Sequence, residues 1–193
     1  MADDDRKWDD LVATSPTVPV TGRKLYRAIA QLSFETSRKY LFTSGKRNRC
    51  NPAGVFCLYM ADDRDTALAE YDKYYTDLGN VEPYVLYTGR LATAAMIDLE
   101  DPAVRNHFGL TDADFFTAFR TKPAETSLEK LGRAIARQNR VVAIRFPSGA
   151  MHALSRKGYN IAVFRDAIRD PDRLQIIGPG DNVLEDWPGT QGE

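Results

Sequence analysis

The stretch Arg49-Cys50-Asn51-Pro52-Ala53-Gly54-Val55-Phe56-Cys57-Leu58-Tyr59-Met60-Ala61, followed by Asp63 and then Thr66-Ala67-Leu68-Ala69-Glu70, changes its pattern twice. Pro52 and Gly54 punctuate a loop. From Gly54 to Ala61 the side chains alternate, Phe56, Leu58 and Met60 against Val55, Cys57 and Tyr59, which predicts a strand. Asp63 can accept from the free amides of a helix that begins at Arg64 and runs to Thr76, with an apolar stripe of Ala67, Leu68, Tyr71, Tyr74 and Tyr75. Loop, strand and helix follow one another here without a break.

Working outward, Leu25 to Leu32 reads as a first strand and Ser33 to Asn51 as a long, polar, basic loop in which Gly45 and Asn48 suit turns. The first 20 residues mix Asp, Thr and Pro without periodicity and read as a flexible lead-in. Downstream, Pro83 to Thr88 and Ala94 to Leu99 predict two strands, and Asp101-Pro102 opens a helix. Thr111 to Asp114 and Thr126 to Glu129 have the form of capping boxes. Val141 to Phe146, Tyr159 to Phe164 and Leu174 to Ile177 predict further strands, and residues 185–193 read as a polar tail. Helices and strands mix without steady βαβ alternation. The expected class is therefore α+β, one compact domain over residues 21–184 with mixed or antiparallel sheets and short surrounding helices.

Composition narrows the function. A chain of 193 residues with 43% hydrophobic content can build a real core. Its net charge of −1 is unlike a bulk nucleic-acid binder, so no direct nucleic-acid partner is expected. Nothing approaches the ~20 apolar residues of a membrane span, and the acidic start has no apolar signal core, so the expected setting is cytoplasmic. Cys50 and Cys57 match no common zinc spacing, and no metal site is expected. Walker, dinucleotide-fingerprint, nucleophile-elbow and zinc-protease motifs are missing. His107 reads as a surface residue and His152 as structural.

The quoted stretch resembles the signature of the RES-domain family: an R-x-N-x-x-G loop, a strand ending in tyrosine, and a helix carrying A-L-A-E. Phe146-Pro147-Ser148 and Gly158-Tyr159-Asn160-Ile161-Ala162-Val163-Phe164 resemble its second block. The likeness spans roughly residues 23–180. Where the family has Gly-Gly-Arg-Trp, this chain has Arg47-Asn48-Arg49-Cys50, which puts the loop's shape and a tryptophan contact in question. The resemblance implies a fold similar to ADP-ribosyltransferase toxins, consumption of NAD⁺, and an active-site set of Arg49, Tyr59, Glu70 and Ser148. It also implies the toxic half of a bacterial toxin–antitoxin pair. The expected partner is an Xre-like helix-turn-helix antitoxin, with toxin dimers inside the complex.

The residue types suit that chemistry. Cleaving a nicotinamide–ribose bond builds oxocarbenium character that a carboxylate such as Glu70 can stabilise. Beside it stands the plain alternative of a solvated glutamate paired with Lys73. Arg49, with Arg47 and Lys46, concentrates charge suited to a pyrophosphate, though such a run also suits a solvated loop. Tyr59 is placed to stack on nicotinamide or bond the ribose, or to pack as an ordinary strand tyrosine. Ser148 is placed to bond the nicotinamide amide or ribose, and Asn160 to brace the site and contact the ligand. No cofactor is expected beyond NAD⁺ as substrate. The acceptor stays open between water, phosphate and a protein side chain. A protein ADP-ribosyltransferase, an RNA-directed toxin and a non-catalytic binding module are the rival readings.

Overall fold

The computed structural model describes residues 2–36, 45–77, 79, 82–119 and 123–188. Its organising element is β3, Tyr84–Asp98, preceded by α1 (Ala2–Thr14), β1 (Val18–Ala30), α2 (Gln31–Thr36), β2 (Cys57–Ala61) and α3 (Arg64–Asp77). After it come α4 (Pro102–Phe108), α5 (Asp112–Phe116), α6 (Ser127–Gln138), β4 (Ala143–Pro147), α7 (Gly149–Ala153), β5 (Tyr159–Phe164), β6 (Arg173–Ile177) and β7 (Val183–Trp187). The two strands expected at 83–88 and 94–99 are one. β3 can run on because partners on both edges take up its backbone groups along the way.

One edge of β3 pairs antiparallel with β1 from Tyr84↔Ala30 to Met96↔Val18. The other edge is shared, antiparallel to β6 at Thr88–Ala92 and parallel to β4 at Met96–Asp98. β4, β5 and β2 then pair antiparallel, and β2 returns to β1 at Tyr26↔Ala61. The sheet β1-β2-β5-β4-β3 therefore closes on itself, and β6 and β7 extend outward from β3. The α+β class holds, with one seven-stranded mixed sheet.

The core fills the sheet and the layer beneath α6. Leu58, Leu91, Ile97, Ile144, Ile161 and Val163 are fully buried. α6 contributes Leu128, Leu131, Ala134 and Ile135 at helical spacing, all at 0% exposure. The capping boxes at Thr111 and Thr126 and the Asp101-Pro102 start form as the sequence leads one to expect.

Besides β2 starting at Cys57 and β4 at Ala143, three boundaries differ in ways that matter. The flexible lead-in is instead a helix: Trp8 and Val12, four residues apart, form a narrow apolar stripe that buries to 7% and 0%. The Trp8 and Phe108 rings lie parallel at 6.4 Å, and Arg137 grips Asp5 and Asp9 at 3.1 and 2.8 Å. A run of acids that looks like disorder is thus the favourable first turn of a docked helix. The polar tail likewise starts later than residue 185. β7 runs to Trp187 because Asp186 faces Gln175 and takes the Arg173 guanidinium. The first strand begins at Val18 and ends at Ala30, so Leu32 belongs to α2. Of the long loop expected before Asn51, residues 37–44 lie outside those described.

Candidate active site

β2 and β5 pair with Ala61 opposite Asn160 and Tyr59 opposite Ala162, and Phe146 of β4 also faces Asn160. Cross-strand partners share a face, so Tyr59, Asn160 and Phe146 line one side of the sheet. α3 lies over that side. Its start is fixed by Asp63, whose carboxylate accepts from the Thr66 amide and hydroxyl, both at 2.8 Å. Two turns on, Glu70 meets the sheet: Asn160 Nδ2 donates to Glu70 Oε1 at 2.6 Å.

Ser148 completes the grip. It sits at 1% exposure where β4 turns into α7, and its hydroxyl donates to the same Glu70 Oε1 at 2.6 Å. The Ser148 oxygen also accepts the Met151 amide at 3.1 Å, capping α7. Two donors from two different elements therefore fix one carboxylate oxygen. Among the described residues both fall on Oε1, which leaves Oε2 as the oxygen directed away from its supports. Among the described residues, the bonds found for Glu70 are to Ser148 and Asn160.

The loop before β2 is rigid for a different reason. Asn51, at 0% exposure, donates through Nδ2 to the Lys46, Pro52 and Val55 carbonyls at 3.0, 3.2 and 2.9 Å. Its Oδ1 accepts the Tyr59 hydroxyl at 2.7 Å, and that hydroxyl accepts the Cys50 amide at 3.0 Å. Burial first, and the nearby Cys50 and Cys57 thiols second, push the Tyr59 phenol well above its ordinary pKa, so it stays a donor. The structure thus places Tyr59 as the post that holds the loop, its ring edge-on to Phe146 at 6.4 Å. None of Arg47, Asn48, Arg49 and Cys50 takes a positive φ, and the left-handed turns fall outside them at Gly45 and Gly54. The missing glycines of the Arg47–Cys50 stretch are therefore accommodated.

Arg49 leans on the segment that follows α5. Its Nη1 donates to the Thr117 carbonyl at 3.3 Å, and its guanidinium lies 5.0 Å from the Phe119 ring centroid. The same segment reaches α7, where Phe116 and His152 stack at 3.7 Å. Residues 116–119 therefore join the Arg49 loop to the helix that Ser148 caps. His152 is structural in this sense, and His107 holds α1 through a ring nitrogen 2.8 Å from the Leu11 carbonyl.

Arg47 is held more firmly than Arg49. Its fork is occupied by Glu129 of α6, with Nη2 at 2.8 Å from Oε2 and Nε bonded to Oε1, and Nη2 also donates to the Ala124 carbonyl at 2.9 Å. Glu129 has 0% exposure. Burial pushes its carboxyl up, but the Arg47 fork and the Thr126 donors outweigh that and hold it below the usual carboxylate range. A guanidinium bound this way braces the loop against α6. Glu129 was legible in sequence only as half of a capping box.

Next to Glu129 on α6, Gly132 is where the loop presses closest. A Cβ there would stand 1.7 Å from the Cys50 carbonyl oxygen. Gly132→Ala is expected to destabilise the chain by about 3 kcal/mol, because backbone blocks relaxation on both sides. Thermal unfolding checks this, with an expected fall in Tm of about 6–12 °C.

A second charged cluster stands behind the first. Arg145 is 8% exposed and bonds Asp62 at 2.8 Å, Asp98 at 3.1 Å and Glu100, with its guanidinium 3.8 Å from the Tyr159 ring centroid. It ties together the ends of β2, β3, β4 and β5, the frame from which Asn160 and Ser148 project. A cavity of about 830 Å³ opens elsewhere, beside the β6–β7 hairpin between Asp170, Arg173, Val183 and Pro188, and holds none of the six candidate residues. Among the described residues, no group of three or more His, Cys, Asp or Glu is placed to hold a metal.

The structure therefore brings Glu70, Ser148 and Asn160 into one hydrogen-bonded unit, with Tyr59 supporting the loop that presents Arg49. Comparison with known proteins bears on the family and the fold. The family model described as RES domain matches residues 24–187. Among solved structures, the chain is similar to the toxin in the crystal structure of the M. tuberculosis MbcT-MbcA toxin-antitoxin complex, with a TM-score of 0.63 and 17% identity. That likeness covers 93% of this chain and 90% of the other, and it shows a shared fold. No curated protein matches the chain.

Proposed function

We propose that this chain, which belongs to the RES-domain family, is the toxin of a toxin–antitoxin pair and breaks the N-glycosidic bond of NAD⁺. The observation that carries the reading is the Glu70 carboxylate held through Oε1 by Ser148 Oγ and Asn160 Nδ2, both at 2.6 Å. A carboxylate so fixed needs no reorganisation when positive charge develops beside it.

The step runs as follows. The bond between ribose C1″ and the nicotinamide nitrogen breaks, and the electron pair leaves with nicotinamide, neutralising its pyridinium charge. The ribosyl carbon takes on oxocarbenium character, which Glu70 stabilises through Oε2. An acceptor oxygen or nitrogen then bonds to C1″ and gives up its proton. Arg49 serves the pyrophosphate, exchanging its Thr117 and Phe119 contacts for charge-assisted bonds to phosphate oxygens. Ser148 and Asn160 act on Glu70. No cofactor is required beyond NAD⁺ itself.

The likeness to a toxin from a toxin–antitoxin complex supports a protein partner. We propose an Xre-like helix-turn-helix antitoxin, toxin dimers within the complex, and action in the cytoplasm where NAD⁺ is held. Among the described residues, no helix is long and apolar enough to cross a membrane.

The test is incubation of the purified chain with NAD⁺, with and without phosphate, followed by chromatography of nicotinamide and the ribosyl product. Free ADP-ribose identifies water as acceptor, its 1″-phosphate identifies phosphate, and label on protein identifies an ADP-ribosyltransferase. Absence of nicotinamide under all conditions sinks the reading. Ser148→Ala separates two effects in the same assay. Loss of the α7 cap costs about 1 kcal/mol, a Tm fall of about 2–4 °C. Loss of one donor to Glu70 slows nicotinamide release about tenfold at temperatures where the variant is folded.

A further inference from the structure

Arg49 contributes to a ligand site only if its loop is held in place, yet its own side-chain contacts are slight: one long bond to the Thr117 carbonyl and one ring face. Besides the Tyr59 and Asn51 bonds, a second hold on the loop lies two residues away. Arg47 spans from the loop to α6, where Glu129 accepts both arms of its fork without any exposure to solvent. The same Glu129 carboxylate accepts the Thr126 amide at 2.8 Å, so it also fixes the entry to α6. Arg47 Nη2 further bonds the Ala124 carbonyl in that entry. One buried carboxylate thus fastens two separate pieces of chain: the loop bearing Arg49, and residues 124–126 at the entry to α6.

We propose that the Arg47–Glu129 pair is a strut that positions Arg49, and that Glu129 is a positioning residue for dinucleotide binding. It acts through Arg47 and never touches the ligand. This rests on the NAD⁺ reading above. Three features set the strut apart from an ordinary surface ion pair. Glu129 is fully buried, the contact is bidentate, and Gly132 one turn along lets the Cys50 backbone close against the same helix. The loop is thereby pinned to α6 at Arg47 and at Cys50, with Arg49 between the two pins.

The consequence is specific. Arg49 is assigned to the pyrophosphate, a part of the substrate that does not react. Misplacing it removes binding shared by ground and transition states, which raises KM and leaves kcat alone. A merely structural pair behaves differently: its loss lowers the fraction of folded enzyme, so the apparent kcat falls and KM stays. Two variants test this. Glu129→Gln keeps the shape and removes the charge, and Arg47→Lys keeps the charge and removes the fork. Each is expected to raise KM for NAD⁺ about tenfold, with kcat within about twofold of the parent. An unchanged KM in either folded variant overturns the inference.

Hydrogen exchange supplies a readout independent of catalysis. The Cys50 and Asn51 amides, bonded to Tyr59 and Asn48, should exchange faster in both variants, while β5 amides are unchanged. If the parent releases no nicotinamide, the NAD⁺ reading fails and exchange alone judges the strut. Faster loop amides then uphold it, and unchanged loop amides overturn it. Should Glu129→Gln fail to fold, Arg47→Lys carries both measurements.

Discussion

Glu70→Gln is expected to lower nicotinamide release from NAD⁺ by about 10²–10³-fold, the range seen when one preorganised electrostatic contact is removed from a transition state. Glutamine has the same shape, and its Oε1 still accepts from Ser148 and Asn160, whose bonds of 2.6 Å currently meet the carboxylate. Only the charge that the proposed mechanism sets against the ribose is lost. The fold should therefore be retained, with Tm close to that of the parent, and the loss should appear in kcat with little change in KM. Steady-state rates from chromatography, with thermal unfolding as the control, decide the matter. A variant that keeps more than a third of the parental rate would remove Glu70 from the chemistry and favour a binding module. Glu70→Ala is a poorer experiment, because it leaves the Ser148 hydroxyl and Asn160 amide without their acceptor.

The second large effect concerns stability. Trp8→Ala is expected to cost about 3 kcal/mol, the lower end for deletion of a large buried aromatic, since α1 sits at the chain's edge and can partly collapse. The corresponding fall in Tm is about 6–12 °C. The magnitudes show what docks the helix. Trp8 is 7% exposed and lies parallel to Phe108, whereas Arg137 and its partners Asp5 and Asp9 are each about a third or more exposed. Such exposed ion pairs give at most about 1 kcal/mol each and weaken with salt. Apolar burial dominates, so raising ionic strength should shift Tm far less than Trp8→Ala does. Nicotinamide release at temperatures well below the transition should be unaltered. A Tm shift below about 2 °C for Trp8→Ala would mean that α1 is not packed on α6 in solution.

Parts of this architecture can be read from residues alone because they depend on short-range geometry. The alternation from Gly54 to Ala61 marks β2, Asp63 marks the start of α3, and the boxes at Thr111 and Thr126 mark the starts of α5 and α6. Each of these signals spans a few residues and acts on its own backbone. α1 escaped because its buried stripe is only two residues wide, Trp8 and Val12, in a run of aspartates. Those aspartates have meaning only once Arg137 and Lys130 of α6 are opposite them. β3 escaped for a related reason: its continuity comes from β1, β6 and β4 on its edges, and none of these lies next to it in sequence.

The candidate site divides along the same line. Sequence by itself determined the residue types and the elements that bear them: a glutamate on α3, a serine where β4 ends, an asparagine on β5, and a basic loop before β2. Only the tertiary structure decided that Ser148 and Asn160 both grip one oxygen of Glu70, residues separated by 78 and 90 positions along the chain. It also gave different partners to two arginines that look alike in the Arg47–Cys50 stretch. Arg47 is bound to Glu129, 82 positions away, and Arg49 stands between the pinned ends of the loop. The physical reason is the range of the forces. Periodicity, caps and turns act between neighbours on the chain, whereas a hydrogen bond or buried ion pair depends on which distant groups the closed sheet brings within about 3 Å.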